Sequence, residues 1–207
     1  AYAASEAFDA AELFADDQVL KMNSLKKAAD TWAKAGYRLK EFQRLQKLIV
    51  CYPAMIDFKS IINRQYQIGN MFYIGKRDPA ISWMPWIEDV DRSIEIYETI
   101  LKNAAFVEFA PELRLRLGQT YIENGKTDEA IKMLKDTFTL HPQSKEAKFA
   151  EFELANLYLQ KARKGDGDGY YCRKADEMLE YLSKKYPKDK EIDWVRNSLK
   201  EANTISS

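Results

Sequence analysis

The stretch from Pro111 to Ser144, PELRLRLGQTYIENGKTDEAIKMLKDTFTLHPQS, limits the possible folds most. Leu117-Gly118 is followed, after two intervening residues, by Tyr121; Ala130 comes nine residues after Tyr121, and Pro142 twelve after Ala130. Such spacing describes one helix, a tight turn and a second helix folded back on the first. Gly118 and Ala130 are small where the two helices approach, and Tyr121, Leu134 and Phe138 fill the space around them. Asn124-Gly125 can take the left-handed backbone that ends the first helix. Thr127 or Asp128 is expected to cap the second, and Pro142, which has no amide hydrogen to donate, ends it.

The same spacing recurs along the chain. Residues 56–75 carry Ile68-Gly69 and then Phe72; the small partner residue is delayed to Ser93 by an insert at 76–91, after which Tyr97 and Ile100 continue the pattern. Leu154-Ala155 and Tyr158, followed by Ala175, Leu179 and Pro187, form a unit at 146–187, with extra residues at 163–170. Upstream, a helix is expected over 6–22, with Asn23 or Ser24 capping the next. The stretch 24–51 contains Gly36 as its one weak point, and either one long helix or two meeting near Gly36 fits it. Tyr52-Pro53 ends this stretch as His141-Pro142 and Tyr186-Pro187 end the later ones. A short helix at 191–203 is expected to cover the last apolar face with Trp194 and Leu199.

This order of residues resembles the tetratricopeptide (TPR) repeat, whose Leu-Gly-x2-Tyr, Ala-x3-Phe and Pro signature extends over about 34 residues. Arg114 stands where that family prefers Trp, and Leu134 where it prefers Phe. The resemblance implies an all-α, TPR-like solenoid of about four helical hairpins with a C-terminal capping helix. Its single domain, 1–207, divides into a degenerate unit at 6–53 and units at 56–105, 111–144 and 146–187, with the cap at 191–203. Within the class, the Tyr-Pro hairpin ends and the insert containing Arg-Asp-Pro are similar to the BamD-like branch of outer-membrane assembly lipoproteins. That similarity implies a periplasmic or outer-membrane-associated subunit, with a lipid anchor on a Cys upstream of residue 1. A cytoplasmic TPR adaptor is the alternative, as is a carbohydrate-binding or enzyme accessory domain.

Bulk composition narrows the function. Lys+Arg and Asp+Glu are both 32 among 207 residues, giving a net charge of zero. That argues against a nucleic-acid binder that gains its affinity from phosphates. No apolar run approaches the roughly 18–20 residues of a membrane span. The opening AYAASEAFDA has neither the basic start nor the apolar middle of a secretory leader; its small residues fit the mature side of a cleavage site or a trimmed chain. Cys51 and Cys172 lack motif spacing and read as buried free thiols, with a disulfide left open if the protein is exported.

Catalytic and metal chemistry find no support in the motifs. His141, the single histidine, stands beside a helix-ending proline and reads as structural or simply exposed. No phosphate loop, nucleophile elbow or zinc-binding helix occurs. Asp166-Gly167-Asp168-Gly169 fails as a calcium loop, since Lys164 and Ala175 fall where oxygen ligands are needed. No cofactor or metal is expected, and the chain is expected not to be an enzyme.

Two surfaces emerge for binding a partner protein or an extended peptide. In a TPR-like array the first helices of successive hairpins line a concave groove. The inward positions are Asn63, Tyr66, Asn70, Tyr73 and Ile74 in the second unit and Glu112, Leu115, Gln119, Ile122 and Glu123 in the third. In the fourth they are Phe149, Phe152, Asn156, Leu159 and Gln160. Asn70 and Asn156 can hold a peptide backbone, and the aromatic residues supply contact area. A register slip of one residue would turn some of these aromatics into core. Tyr66 stands where a chaperone-type carboxylate clamp needs lysine, which argues against that activity. The other surface is the insert, where Trp83, Met84 and Trp86 either dock a partner or fold back as packing.

Overall fold

The computed structural model describes residues 2–76, 78, 89–165, 169–188, 192, 193 and 197. Among these residues the chain is all-α, with nine α-helices and no strand. It divides into two compact units, Ala1–Ala105 and Phe106–Ser207.

The first unit begins with α1 (Tyr2–Phe14), α2 (Gln18–Lys34) and α3 (Arg38–Cys51). The break between α1 and α2 therefore falls at 15–17 and not at 23–24: Asp17 caps α2, its carboxylate accepting from the Leu20 amide at 2.9 Å. Asn23 and Ser24 lie inside α2, where Ser24 is buried. Asp16-Asp17 is the stronger stop because a β-region Asp offers its carboxylate to the free amides of the first turn. Gly36, with φ of +84°, divides α2 from α3, so the stretch 24–51 is not one helix. The two helices form a hairpin with the same spacing as the one at 111–144. Ala29, Glu41 and Pro53 stand twelve residues apart, as Gly118, Ala130 and Pro142 do. Ala29 and Trp32 are fully buried.

After a short 3-10 turn at Pro53–Met55, α4 (Phe58–Tyr73) and α5 (Asp89–Asn103) form the second hairpin. Asp57 caps α4 by accepting from the Ser60 amide at 3.2 Å. A Cβ on Gly69 would lie 2.6 Å from Tyr97 and 3.0 Å from Ile96, so glycine sets the distance between these helices. Ser93, expected as the small partner residue, is buried.

In the second unit α6 (Ala110–Glu123) and α7 (Thr127–Leu140) form one hairpin, and α8 (Lys145–Lys164) and α9 (Tyr170–Lys185) the next. Gly125 makes the first turn with φ of +71°. The expected cap at Thr127 or Asp128 is not formed: Lys126 is the N-cap, without a side-chain hydrogen bond. The Thr127 hydroxyl instead donates back to the Gly125 carbonyl at 3.4 Å. Lys126 has a backbone close to that of the capping Asp57, but its side chain has no acceptor to offer the first amides of α7. Ser144 does cap α8, accepting from the Ala147 amide at 3.2 Å. The extra residues at 163–170 are partly helical, because α8 continues to Lys164 before Gly165 turns the chain. Cys51 and Cys172 are free as expected, yet Cys51 is exposed and Cys172 half-buried; both lie off the apolar stripe of their helices. The capping helix expected at 191–203, with Trp194 and Leu199, lies largely outside the described residues.

The position four before each small residue is buried and polar in three hairpins: Gln65, Arg114 and Glu151. Each has partners. Gln65 donates to Gln46 Oε1 at 3.0 Å, and Asn103, at the end of α5, donates to the same oxygen at 2.8 Å. Arg114 Nη1 meets His141 Nε2 at 2.8 Å. The Glu151 carboxylate accepts from Tyr181 at 2.6 Å, Lys185 at 2.5 Å and Tyr186 at 2.8 Å. In the second unit these bonds tie the first helix of a hairpin to the end of its second.

Gly118 lies tightly on Leu134: a Cβ would lie 2.7 Å from Leu134 Cδ2, and Leu134 is fully buried. Gly118→Leu should cost roughly 1–3 kcal/mol through overpacking, read as a lowered urea midpoint. Adding Leu134→Ala should recover part of that loss. An unchanged midpoint for Gly118→Leu would show that this contact is not tight.

Candidate protein-binding surfaces

The first helices of the hairpins carry the expected inward-facing residues, but the structure uses them differently. On α4, Asn63 is exposed. It lines a shallow depression of about 470 Å³ with Asp57, Lys59, Ser60, Arg64 and Gln67. Beside it, a cavity of about 250 Å³ lies between α2, α3 and α4 over Leu45, Leu48 and Ile61. Arg64 spans the region, pairing with Asp30 of α2 and with Glu41 of α3, each at 2.6 Å.

Tyr66, Asn70 and Tyr73 belong in part to the hairpin interior. The buried Tyr97 hydroxyl donates to Asn70 Oδ1 at 2.5 Å. Tyr66 and Tyr73 place their rings 6.5 and 6.4 Å from that of Tyr97. A buried tyrosine hydroxyl requires a partner, and Asn70 supplies it. The grip expected of Asn70 on a peptide backbone therefore competes with a structural bond. Ile74 is 67% exposed.

In the second unit the corresponding face is more open. The Gln119 amide of α6 donates to Glu153 Oε1 of α8 at 3.1 Å, which sets the two first helices side by side. Leu115, Gln119 and Ile122 are half-buried and Glu123 exposed; Glu112 pairs with Arg116 at 2.6 Å. On α8, Phe149 is 58% exposed. Asn156 is half-buried and has no hydrogen-bond partner among the described residues; Gln160 is exposed. Phe152 packs on Tyr186, ring centroids 5.9 Å apart, with Lys148 above both rings at 5.6 and 5.7 Å. Leu159 does not belong to a groove: it is 2% exposed. Leu157, Tyr158 and Leu159 are all buried, so α8 is enclosed on more than one side at this level.

Trp83, Met84 and Trp86 of the insert lie outside the described residues. Asp78, the acid of the insert's Arg-Asp-Pro, does not, and the sequence analysis gives it no role. Its buried carboxylate accepts from the Arg38 and Leu39 amides at 2.8 and 2.9 Å. It thereby caps α3, whose own N-cap, Tyr37, makes no side-chain bond. The available signal is negative: Gly36-Tyr37 offers no capping side chain, so the first amides of α3 need a remote acceptor.

Electrostatics in the second unit serve structure. Burial is the largest single influence on Lys185 and opposes its charge, yet the hydrogen bonds and charges of Glu151 and Tyr181 together outweigh it and raise its pKa. His141 is shifted the other way: burial first, then the Arg114 charge, lower its pKa. Neutral His141 accepts from Arg114, in keeping with its expected structural role. Among the described residues no group of three His, Cys, Asp or Glu side chains is placed to hold a metal ion. No described helix is long and apolar enough to cross a membrane.

The tetratricopeptide repeat family model matches residues 112–144, the α6–α7 hairpin with its turn. Repeats of this family mediate protein–protein interaction, and among the described residues the chain is all-α. Among solved structures, the chain is similar to a crystal structure of nearly identical TPR-like repeats from a putative kinesin light chain of Podosopora anserina. The identity is 15%, covering 90% of this chain and 86% of that one, with a TM-score of 0.47. No curated protein sequence matches significantly.

His141 is the single histidine, so its titration can be isolated. In the unfolded chain a histidine titrates near about 6.5, and here the folded value lies lower. The unfolded chain therefore binds more protons just below that pH, and stability falls as the pH drops through this window. The melting temperature should decline between about pH 7.5 and pH 5.5. His141→Asn, which keeps an acceptor but cannot titrate, should remove that decline. A flat wild-type profile would contradict the Arg114–His141 assignment.

Proposed function

We propose that the protein is a non-catalytic scaffold that binds an extended segment of a partner protein along the α6–α8 face. The supporting observation is the side-by-side setting of α6 and α8, fixed by the Gln119–Glu153 bond. It gathers half-buried Ile122, exposed Phe149 and half-buried Asn156 on neighbouring helices. An amide with open donors and acceptor can pair with a peptide backbone, and the flanking apolar side chains supply area for the peptide's own side chains. Asn63 and Gln67, on the rim of the α4 depression, offer the same chemistry in the first unit.

The finer version of this proposal places the protein in the cell envelope, as a periplasmic or outer-membrane-associated assembly subunit of the BamD-like kind. Its support is the sequence resemblance alone: Tyr-Pro at the hairpin ends and the Arg-Asp-Pro insert. Fractionation of the native protein, with its reading frame extended upstream of Ala1, tests that placement. A purely cytosolic distribution would replace it with the cytoplasmic adaptor.

Binding itself is tested by capture from a cell extract with wild-type and variant chains. Asn156→Ala and Phe149→Ala should each lose the wild-type partner while keeping the melting temperature. Asn70→Ala should instead lower the melting temperature, by removing the acceptor of the buried Tyr97 hydroxyl at a cost of about 1–3 kcal/mol. Full retention of the partner by both α8 variants would overturn the α6–α8 assignment.

A further inference from the structure

α1 packs along α2 and meets α3 through a row of charged side chains. Of its thirteen residues only Ser5 and Glu12 are buried. Its large apolar residues Leu13 and Phe14 are 69% and 84% exposed. Its hold on the α2–α3 hairpin is polar and aromatic. Lys40, Arg44 and Lys47 stand at i, i+4 and i+7 on one face of α3, and each meets a residue of α1. The Arg44 guanidinium donates through Nε and Nη2 to the two oxygens of Asp9, at 2.8 and 2.6 Å. Lys47 pairs with Glu12 at 2.7 Å. Lys40 lies over Trp32 at 4.0 Å and over Tyr2 at 5.2 Å. Trp32 donates its indole N–H to Asp9 at 2.9 Å.

The fit is incomplete. A cleft of about 340 Å³ lies between α1, α2 and α3, bounded by Asp9, Glu12, Leu13, Leu25, Arg44 and Lys47. A hairpin face with three cations in a row and a buried tryptophan is complementary to an acidic amphipathic helix. α1 presents the matching Tyr-x6-Asp-x2-Glu pattern without filling the space beneath it.

We propose that the α2–α3 face is a docking site for an acidic amphipathic helix of a partner protein, and that α1 occupies it in cis as a displaceable placeholder. A partner helix with acids at the same spacing and larger apolar side chains would make the same ion pairs and fill the cleft, displacing α1 and freeing Leu13 and Phe14 to move. The turn at 15–17 is the hinge. Because Arg44 and Lys47 are partly exposed in these ion pairs, salt weakens that part of the hold. The idea is independent of the α6–α8 proposal, which concerns the other unit.

The test uses the full chain and a fluorescently labelled synthetic peptide of residues 1–17 as the acidic-helix probe. In the full-length Asp9→Lys/Glu12→Lys variant, α1 is repelled from Arg44 and Lys47. The peptide should bind that variant about tenfold or more tighter than wild type, lose affinity as salt rises, and fail to bind when its own Asp9 and Glu12 are changed to Lys. Should the double lysine variant not fold, Asp9→Asn/Glu12→Gln releases the ion pairs without repulsion and the same ordering is expected. Equal binding of the peptide to wild type and to a folded variant would overturn the proposal, as would equal binding of the charge-reversed peptide. A wild-type dimer formed by exchange of α1 would assign the face to a second copy and overturn the partner reading.

Discussion

The structure depends on how closely the two helices of a hairpin can approach. At Gly118 the missing side chain lets Leu134 lie where a Cβ would otherwise stand, and at Gly69 the same absence admits Tyr97 and Ile96. Close-packed interiors leave no slack for a methylene at such a point. Ala29 and Ala155 hold the equivalent positions in the other hairpins and are fully buried. Once the distance is set, the residues three further on, Trp32, Phe72, Tyr121 and Tyr158, are also buried.

Close approach brings the helices together but does not by itself orient their ends. That task falls to the buried polar residues four before the small ones. Burying Arg114 or Glu151 is costly without partners. Arg114 is satisfied by His141, and Glu151 by Tyr181, Lys185 and Tyr186. These directional bonds join the first helix of each of these hairpins to the end of its second. The residue next to the helix-ending proline, His141 or Tyr186, is thus a bonding partner as well as a stop signal. Asp9 and Asp78 extend the same logic to pieces outside the hairpins, since each binds donors far away in the chain.

Much of the hairpin plan is legible in the sequence because its signals are local. Pro142 and Pro187, Gly125 and the small residues each act within a few residues of themselves. The α2–α3 hairpin is legible too, by counting back twelve from Pro53 to Glu41 and twelve more to Ala29. A glutamate in the small position masks it, since nothing in the sequence says that Arg38 and Arg64 neutralise Glu41. The break at Ala15-Asp16-Asp17 is hidden because Val19 continues the apolar spacing of α1 across it. Asp78 on α3 and Tyr97 on Asn70 join residues 39 or 40 and 27 apart, and no pattern in the sequence encodes such partners. The concave positions lie on the helices expected of them, but whether Asn70, Phe152 or Leu159 face solvent depends on what packs beside them.

The central claim is that the α6–α8 face holds an extended segment. The most direct measurement is amide and side-chain chemical-shift mapping of the isotopically labelled full chain, titrated with an unstructured peptide selected for binding from a display library. The account predicts shifts concentrated at Gln119, Ile122, Phe149 and Asn156, with the amide side chain of Asn156 among the largest. Shifts confined to other faces, with those four residues unmoved at saturation, would contradict it.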